Sequence, residues 1–359
     1  MSLRSDNTMK IGEREISNNT PPYIIAEMSG NHNGDINRAL KLIDAAAEAG
    51  ADAVKLQTYT ADTLTLNSNK KDFCISEGLW QGKSLYQLYD WAHTPWQWHQ
   101  ALFDRANKLG IDIFSSPFDE TAVDFLTQFD PPAYKIASFE LIDHELVKKV
   151  AETKKPMIMS TGMANIQEIE EALAVALNYG NGQVTLLHCV SGYPTPIEQT
   201  NLATIKALAE KFDLPIGLSD HTLGNTTAIA SVALGATVIE KHFTLARADG
   251  GPDAAFSLEP EELKALCKDV RDAWHAIGKP NFTLAQSEQP NLIFRRSLYI
   301  SKDIKKGEVF SKDNVRCIRP GYGLAPKHLD VVLGLEATMD IEAATALTWD
   351  MVNRRTTNT

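Results

Sequence analysis

The sequence has no excess of basic charge and no long hydrophobic run, and each absence excludes a class of protein. Its 359 residues contain 35 Lys and Arg against 46 Asp and Glu, which gives a formal net charge of −11. Proteins that bind nucleic acids or anionic membranes non-specifically need a basic surface. A membrane span needs about 20 mostly apolar residues, and no stretch here comes near that. We therefore expect no nucleic-acid partner and no membrane partner, although an acidic protein can still hold a basic pocket for an anionic substrate.

Closely spaced cysteines are also missing. The four cysteines, Cys74, Cys189, Cys267 and Cys317, form no CxxC pair. Closed zinc sites and disulfide frameworks need such spacing, so we expect reduced thiols in a cytoplasmic protein. Residues 1–19 are polar and have no apolar core of the kind found in secretory signals, which agrees with a cytoplasmic location.

From residue 23 onward, short apolar runs alternate with amphipathic stretches typical of helices. This alternation predicts a parallel sheet, because parallel neighbours need a crossover connection. Eight units in about 260 residues match the closed (β/α)8 TIM barrel of the α/β class. An open doubly wound sheet is the alternative, but no glycine-rich dinucleotide loop follows the first run. The eight runs are YIIAEM (23–28), AVKLQ (53–57), IDIFSS (111–116), AYKIAS (133–138), PMIMST (156–161), VTLLHCV (184–190), PIGLSDH (215–221) and TVIEKHF (237–243).

After the eighth unit the character of the sequence changes. The predicted organisation is a barrel domain at 1–278, a polar, proline-containing linker at 279–292 and a small β-rich domain at 293–359. Residues 301–315 align without gaps on residues 338–352. Two such copies predict a pseudo-symmetric module whose halves pack on each other.

In a (β/α)8 barrel the reacting groups lie at the carboxyl ends of the strands. The seventh and eighth runs end at His221 and His242, and adjacent strands would bring these imidazoles together. Two neutral imidazoles with a nearby carboxylate such as Glu27 suit a divalent transition metal that keeps open positions. The alternative is that each histidine only forms hydrogen bonds within the rim. Because the two lie on neighbouring strand ends, we predict a metal site there.

Lys55 and Lys135 lie inside apolar runs, where a lysine is costly to bury unless it meets an anion. Hydroxyls at the same strand ends add short hydrogen-bond donors, namely Ser116, Ser138, Ser160 and Ser219. Lysines, hydroxyls and loop amides together can form a phosphate or oxyanion cradle. The alternative is a structural salt bridge, with Glu140 as the obvious partner of Lys135. We expect the lysine pair to bind an anion.

Three loops at the same face are also candidates for a functional role. The connection at 58–94 is long, and loops of that size in a compact domain are usually functional. Tyr193 lies on the loop after the sixth run, and Asp253 lies on the glycine-rich loop after the eighth. Asp220 and Lys241 alternate with the two histidines along their strands, so we expect them to face out of the barrel in structural roles.

A series of motifs, in order and correctly spaced over about residues 20–353, resembles the sialic acid synthase family. The motifs are AEMSGNHNGD, KLQTYTADTLTL, FSSPFD, YKIASFE, MSTGM, LLHCVSGYPTP, GLSDHT, IEKHFT, GPDAAFSLEP and RPGYG. The tail is similar to the C-terminal SAF domain of that family, which resembles type III antifreeze proteins. Within the family, KLQTYTADTLTL and GLW…LYQLYDWAHTPWQWH look most like the pseudaminic acid branch.

The resemblance implies a transferase that condenses phosphoenolpyruvate with an N-acylated amino sugar and releases phosphate. For the pseudaminic branch the sugar is 2,4-diacetamido-2,4,6-trideoxy-L-altrose. The resemblance also implies a divalent metal, Mn²⁺ first with Co²⁺ or Mg²⁺ as alternatives, and a domain-swapped homodimer. By resemblance, Glu27, His221 and His242 are catalytic and the two histidines are the metal ligands. Phosphoenolpyruvate would contact Lys55, Ser116, Lys135, Ser138, Ser160, Ser191 and Ser219. The sugar would contact Gln57, Glu140, Tyr193, Asp253 and, from the tail of the other subunit, Arg319.

Two positions depart from the family pattern. Ser191 stands where sialic acid synthases carry Asn, so we expect that phosphate contact to be remodelled. Ala344 stands in the second tail repeat where a turn glycine is expected, which would strain the turn. Within the enzyme class, the alternatives are N-acetylneuraminate and legionaminate synthases. From another class, the alternative is a non-catalytic sugar-phosphate-binding barrel.

Overall fold

The computed structural model describes residues 8–354 and divides them into one unit that ends at Gly278 and a second that begins at Lys279. The first unit begins with an antiparallel hairpin of strands β1 (Met9–Ile11) and β2 (Arg14–Ile16). Eight parallel strands then close into a barrel, which confirms the predicted (β/α)8 fold. In chain order they are β3 (Tyr23–Glu27), β4 (Ala53–Thr58), β5 (Asp112–Pro117), β6 (Tyr134–Ile136), β7 (Met157–Ser160), β8 (Val184–Cys189), β9 (Ile216–Asp220) and β10 (Ala236–His242).

Helices connect these strands and surround the barrel. In chain order they are α1 (Ile36–Ala49), α2 (Ala61–Leu64), α3 (Leu85–Ala92), α4 (His99–Leu109), α5 (Glu120–Thr127), α6 (His144–Glu152), α7 (Ile166–Tyr179), α8 (Ala203–Phe212), α9 (Thr226–Ala233) and α10 (Pro260–Ile277). The sequence explains their ends. Asp35 accepts a hydrogen bond from the Asn37 N–H at the start of α1, and Gly50 ends that helix with a φ of 85°. Glycine takes this left-handed conformation without the steric cost of a Cβ.

The hairpin of β1 and β2 closes the amino end of the barrel. Its buried side chains, Met9, Ile11 and Ile16, form one cluster with Tyr23 and other side chains of the barrel strands. Tyr23 opens β3, and its hydroxyl donates to Asp112 Oδ2, at the start of β5, over 2.7 Å. The sequence does not predict this hairpin. Because it covers the end where the strands begin, the chemistry is left to the carboxyl ends.

A second layer of core lies between the strands and the helices. Leu42 of α1, Leu102 of α4 and Leu146 of α6 are buried in it against strand residues such as Val54. Each fully buried aliphatic side chain of this size contributes about 1.5–3 kcal/mol, so this layer holds the helices in place around the barrel. Among residues 8–354, no helix is long and apolar enough to cross a membrane.

The second unit is small and rich in short β pairings. It contains an antiparallel pair, β11 (Ser297–Ile300) and β12 (Val315–Ile318), and one short helix, α11 (Leu329–Val332). Ile304 and Ile341, equivalent residues of the two sequence copies, exchange both backbone hydrogen bonds at 2.8 Å. The equivalent aspartates act reciprocally, since Asp303 accepts a backbone N–H from the second copy and Asp340 accepts one from the first. The predicted pseudo-symmetry is therefore confirmed.

Two details of the second unit concern the linker and the turn. Residues Gln286–Phe294 form a 3-10 helix, whereas the sequence predicts an irregular linker as far as residue 292.

Ala344 has a φ of 64°, and the equivalent Gly307 has a φ of 85°. The left-handed conformation costs a residue with a Cβ about 1–2 kcal/mol, so the expected strain at Ala344 is present.

Candidate active site

Four buried charged side chains cross the lumen of the barrel near the carboxyl ends of its strands. Lys55 Nζ lies 2.7 Å from Glu27 Oε2 and 3.7 Å from Glu240 Oε2. Lys135 Nζ lies 2.7 and 2.8 Å from the two carboxylate oxygens of Glu240. None of the four side chains is more than 5% exposed. We call Glu27, Lys55, Lys135 and Glu240 the charged quartet.

The quartet corrects one expectation from the sequence. The carboxylate partner of Lys135 is Glu240 of β10 and not Glu140, which lies in the loop after β6. β6 and β10 are not neighbours in the barrel, so the pair forms across the lumen. Polar side chains complete the shell: Gln57 Nε2 donates to Glu27 Oε1 at 2.8 Å, and Ser219 Oγ donates to Glu240 Oε1 at 3.0 Å.

The two carboxylates of the quartet differ in proton affinity. Burial raises the pKa of Glu27, and the repulsion from Glu240 adds to this, so that the attraction of Lys55 compensates only in part. Burial also favours the neutral form of Glu240, but the charges of Lys135 and Lys55 outweigh it and lower the pKa of that carboxyl. Glu240 is therefore the fixed anion, and Glu27 is the carboxyl that can take up a proton.

His221 and His242 lie side by side, as the sequence predicts. Their ring centroids are 5.3 Å apart. His221 Nδ1 donates to the Val190 carbonyl at 3.0 Å, which leaves its Nε2 free of the proton when the ring is neutral. His242 Nδ1 is buried, has no hydrogen-bond partner and lies 3.6 Å from Asp253 Oδ2. Burial, together with the charges of His221 and Lys55, lowers the pKa of His242 well below its usual value, so this imidazole is neutral.

This donor set fits a divalent metal that takes part of its coordination shell from water or substrate. A neutral buried imidazole with an unpartnered nitrogen beside a second imidazole is the kind of site that transition metals occupy. Among residues 8–354, no group of three or more His, Cys, Asp or Glu side chains is arranged to hold a metal ion. Glu27, expected beside the metal, makes its contacts with Lys55 and Gln57. The protein would therefore contribute His221 and His242 as its metal ligands.

Cys189 lies at this site and was missed from the sequence. Cys189 is the last residue of β8, and its Sγ lies 3.8 Å from His221 Nδ1. The imidazole of His188, the residue before it in the strand, turns away from the lumen and contacts the Thr200 carbonyl at 2.6 Å. Register explains the difference, because Cys189 is the β8 residue paired with Ser219. Burial favours the neutral thiol, but the bond and charge of His221 prevail and lower the pKa of Cys189.

Hydroxyls converge next to the quartet. Ser116 Oγ lies 3.3 Å from Lys55 Nζ, and Ser138 Oγ accepts the Gly162 N–H at 3.2 Å. A Cβ at Gly162 would lie 2.7 Å from Ser138 Oγ and 2.3 Å from Ser191 Oγ, so only glycine fits between these hydroxyls. Ser160 Oγ and Ser191 Oγ are buried without a hydrogen-bond partner. Buried hydroxyls that lack a partner are costly, and an anion placed here would satisfy them.

The residues of the first unit that are predicted to contact the sugar are brought to the same face. The ring of Tyr193 lies 4.5 Å from that of His221. Burial raises the pKa of Glu140 to about 7, and its Oε2 has no hydrogen-bond partner. Asp253 accepts a hydrogen bond from the Ser29 hydroxyl beside His242. Arg319 belongs to the second unit.

Asp220 and Lys241 form a buried ion pair outside the lumen. Lys241 Nζ lies 2.8 Å from Asp220 Oδ2 and 2.6 Å from the Thr222 carbonyl, and both charged side chains are 1% exposed. This confirms that the alternating residues face out of the lumen in structural roles.

All four cysteines are free, as expected.

Known proteins are similar to this chain in sequence and fold. The chain is 49% identical over 325 residues to the pseudaminic acid synthase of Campylobacter jejuni subsp. jejuni serotype O:23/36 (strain 81-176). The aligned residues cover 90% of this chain and 95% of that protein. It is 42% identical over 335 residues to the pseudaminic acid synthase of Helicobacter pylori, with 93% and 98% covered. The crystal structure of the N-acetylneuraminic acid (sialic acid) synthetase from Leptospira borgpetersenii serovar Hardjo-bovis in complex with citrate has 33% identity and a TM-score of 0.71, and covers 79% of this chain and 95% of that one.

Family models cover both units. The NeuB family model matches residues 42–281, and the SAF domain model matches residues 295–353. The first match spans the charged quartet except Glu27, together with both histidines and the hydroxyls. The barrel, the strand-end chemistry and these matches agree with the resemblance drawn from the motifs. The chain belongs to the NeuB family and carries a C-terminal SAF domain.

Proposed function

We propose that the chain is a pseudaminic acid synthase. It would condense phosphoenolpyruvate, 2,4-diacetamido-2,4,6-trideoxy-L-altrose and water to give pseudaminic acid and inorganic phosphate. The observation that carries the proposal is a relative of that name, 49% identical over 90% of this chain. The site supports it, because two buried ammonium groups and two imidazoles share the face where a (β/α)8 barrel carries out its chemistry.

Phosphoenolpyruvate would bind over the charged quartet. Its phosphate and carboxylate are anions, and Lys55 and Lys135 are the buried cations of the lumen. Ser160 and Ser191 offer hydroxyls that have no partner of their own, beside Ser138. Charge-assisted hydrogen bonds of this kind are short and strong, and they would hold the enol in one orientation.

A divalent metal, Mn²⁺ before Co²⁺ or Mg²⁺, would be held by His221 and His242 and would supply Lewis-acid polarisation of the sugar's aldehyde oxygen. In the reaction, the methylene carbon of phosphoenolpyruvate forms a bond to the aldehyde carbon, and the aldehyde oxygen takes a proton. Water adds to the central carbon of the former phosphoenolpyruvate and loses a proton. The carbon–oxygen bond to phosphate then breaks while the hydroxyl that came from water gives its remaining proton to the leaving phosphate, which leaves a ketone and inorganic phosphate.

Protons would be managed by Glu27 and Glu140, two of the carboxyls whose pKa values are raised by burial. Glu27 lies in the lumen within hydrogen-bond reach of Lys55 and Gln57, so it can hold a proton next to the enol. Glu140 lies at the rim, and its pKa of about 7 allows it to give or take a proton at neutral pH. Closely packed side chains around Glu27 would also keep bulk water from the enol.

The test is phosphate release from phosphoenolpyruvate with Mn²⁺ and each candidate sugar, with the product identified by mass. We expect release with the L-altrose sugar and none with N-acetylmannosamine. Release only with N-acetylmannosamine, or only with the legionaminic acid precursor, would identify a different synthase of the same family. Binding of phosphoenolpyruvate without release of phosphate in the presence of any of these sugars would point to a non-catalytic barrel. His221→Ala is the control, since it should abolish release and Mn²⁺ binding while the circular dichroism spectrum stays unchanged.

The homodimer and the reach of Arg319 to the sugar of the other subunit also stay predictions. Light scattering coupled to size-exclusion chromatography would measure the mass in solution. A monomeric mass for the active enzyme would contradict the dimer.

A further inference from the structure

The long connection between β4 and α4 carries a short hairpin with an indole near its tip. Ile75 N–H donates to the Lys83 carbonyl at 2.9 Å, and Gly82 N–H donates to the Ile75 carbonyl at 3.0 Å. The turn between them uses Gly78 and Gly82 at φ values of 85° and 89°, which glycine adopts without strain. Trp80 lies within this turn. The hairpin is therefore ordered by backbone bonds, and its indole has a defined position.

Trp80 contacts two other loops of the carboxyl face. Its Nε1–H donates to the Pro252 carbonyl at 2.8 Å, on the loop after β10. Its ring centroid lies 5.7 Å from that of Tyr193, on the loop after β8. Tyr193 in turn lies 4.5 Å from His221 and 5.4 Å from Phe256. Trp80, Tyr193 and Phe256 thus form a continuous row of rings beside the histidine pair, which we call the aromatic wall.

The aromatic wall contrasts with the floor of the site. The floor consists of the charged quartet, the two imidazoles and the hydroxyls, so it suits the anionic and reacting parts of the substrates. The rings lead outward from His221, so an aldose whose aldehyde carbon lies near His221 can extend its other end along them. Aromatic faces pack well against C–H groups, and they leave a buried hydroxyl without a hydrogen-bond partner. The wall therefore favours a sugar whose far end is apolar.

We propose that Trp80 is a specificity-determining residue, whose indole forms the outer part of the sugar subsite and selects an aldose ending in a methyl group over one ending in a hydroxymethyl group. The inference rests on the proposed function and extends it by assigning the wall. A hydrophobic pocket discriminates between substrates that differ by one small group by about 10–200-fold. Removal of the indole should therefore weaken binding of the 6-deoxy sugar more than binding of its 6-hydroxy analogue.

The experiment compares four proteins: the wild type, Trp80→Ala, Trp80→Phe and Trp91→Ala. Trp91 is the matched control, because it lies in the same connection, is 41% exposed and contacts Lys83 at the surface. Initial rates are measured with Mn²⁺, varying in turn phosphoenolpyruvate, the 6-deoxy L-altrose sugar and its 6-hydroxy analogue. We expect Trp80→Ala to raise the KM of the 6-deoxy sugar at least tenfold and that of phosphoenolpyruvate less than twofold. Selectivity for the 6-deoxy sugar should fall at least fivefold, and Trp91→Ala should match the wild type.

Trp80→Phe separates packing from the hydrogen bond. It keeps a ring and loses the N–H donor to Pro252, so we expect a sugar KM within about threefold of the wild type. If this variant is as impaired as Trp80→Ala, Trp80 acts by fastening the loop after β10, and the wall proposal is wrong. Trp80→Leu replaces the Ala variant in the comparison if the latter does not fold.

The wild-type rates keep this proposal apart from the proposed function. If the wild type turns over the L-altrose sugar and Trp80→Ala leaves its KM within twofold, the synthase assignment stands and the wall is wrong. The wall is equally wrong if Trp80→Ala raises both substrate KM values to the same extent, because that is the result of a general structural defect. If the wild type turns over neither L-altrose sugar, both proposals fall together.

Discussion

Replacement of Glu240 by Gln should destabilise the barrel, and phosphoenolpyruvate should restore part of the loss. Glu240 is the partner of Lys135 at 2.7 Å and lies 3.7 Å from Lys55. The amide keeps the shape and removes the charge, so Glu27 remains as the quartet's one carboxylate for two buried ammonium groups. Removal of one partner from a buried pair costs about 3–5 kcal/mol. At about 2 °C per kcal/mol for a unit of this size, Tm should fall by about 6–10 °C.

The assay is thermal unfolding with and without saturating phosphoenolpyruvate. A ligand that binds only the folded state raises stability with the logarithm of its concentration over Kd. Because Glu27 alone remains to balance the two lysines of the variant, we expect phosphoenolpyruvate to raise the variant's Tm more than that of the wild type. Asp220→Asn is the matched control, since it breaks the buried Lys241 pair at 2.8 Å outside the lumen and should lower Tm without changing the ligand's effect. An equal ligand-induced shift in Glu240→Gln and the wild type would refute the assignment of the lysines as an anion site.

Three further predictions concern pH, a turn and the second unit. Burial lowers the pKa of both His32 and His99 from 6.5 to about 4, with the charges of His93 and Arg38 adding to the effect on His32. The unfolded chain therefore binds protons first, and stability should fall as pH drops from 6.5 toward 4, by about 2 kcal/mol per histidine at pH 5. Urea unfolding at pH 7 and 5 checks this, and equal midpoints would contradict it. Ala344→Gly should raise the free energy of unfolding of the second unit by about 0.5–1 kcal/mol, because the relief of the strain at positive φ exceeds the added entropy of the unfolded chain. Slower amide hydrogen exchange in the second unit would confirm this, and faster exchange would contradict it. Arg319→Ala should raise the sugar KM at least tenfold with phosphoenolpyruvate unchanged, and equal weakening of both substrates would place Arg319 elsewhere.

Alternation along single strands is the part of the site that the sequence determines well. Side chains two apart on a strand share a face, so the amino-acid pattern alone places Glu240 and His242 together. The count of eight runs likewise predicts that the strands are arranged in sequence order, and the adjacency of His221 and His242 follows because their strands are consecutive. These inferences need only local periodicity and the rule that parallel neighbours require a crossover.

Contacts across the lumen could not be predicted in the same way. Lys135 and Glu240 are 105 residues apart, and no periodicity shows which of several carboxylates meets a given lysine. The run VTLLHCV is apolar on both faces, as buried parallel strands are, so the direction of His188 and Cys189 could not be determined from it. The hairpin before the barrel is not predicted because its two strands have only three residues each, which is too short for an alternating pattern to stand out. In each case the deciding information is three-dimensional proximity.

The reciprocal pairing in the second unit determines when during synthesis that unit can form. Ile304 obtains its backbone partner only from Ile341, and Ala337 pairs with Val352. Neither copy of the repeat can complete its backbone hydrogen bonds alone. Since a ribosome covers the last residues it has joined, the unit cannot be complete until Val352 has left the ribosome. The barrel strands, which end at His242, are free to close before that point. The two units therefore become able to fold in the order of their sequence, and the unit with Arg319 comes second.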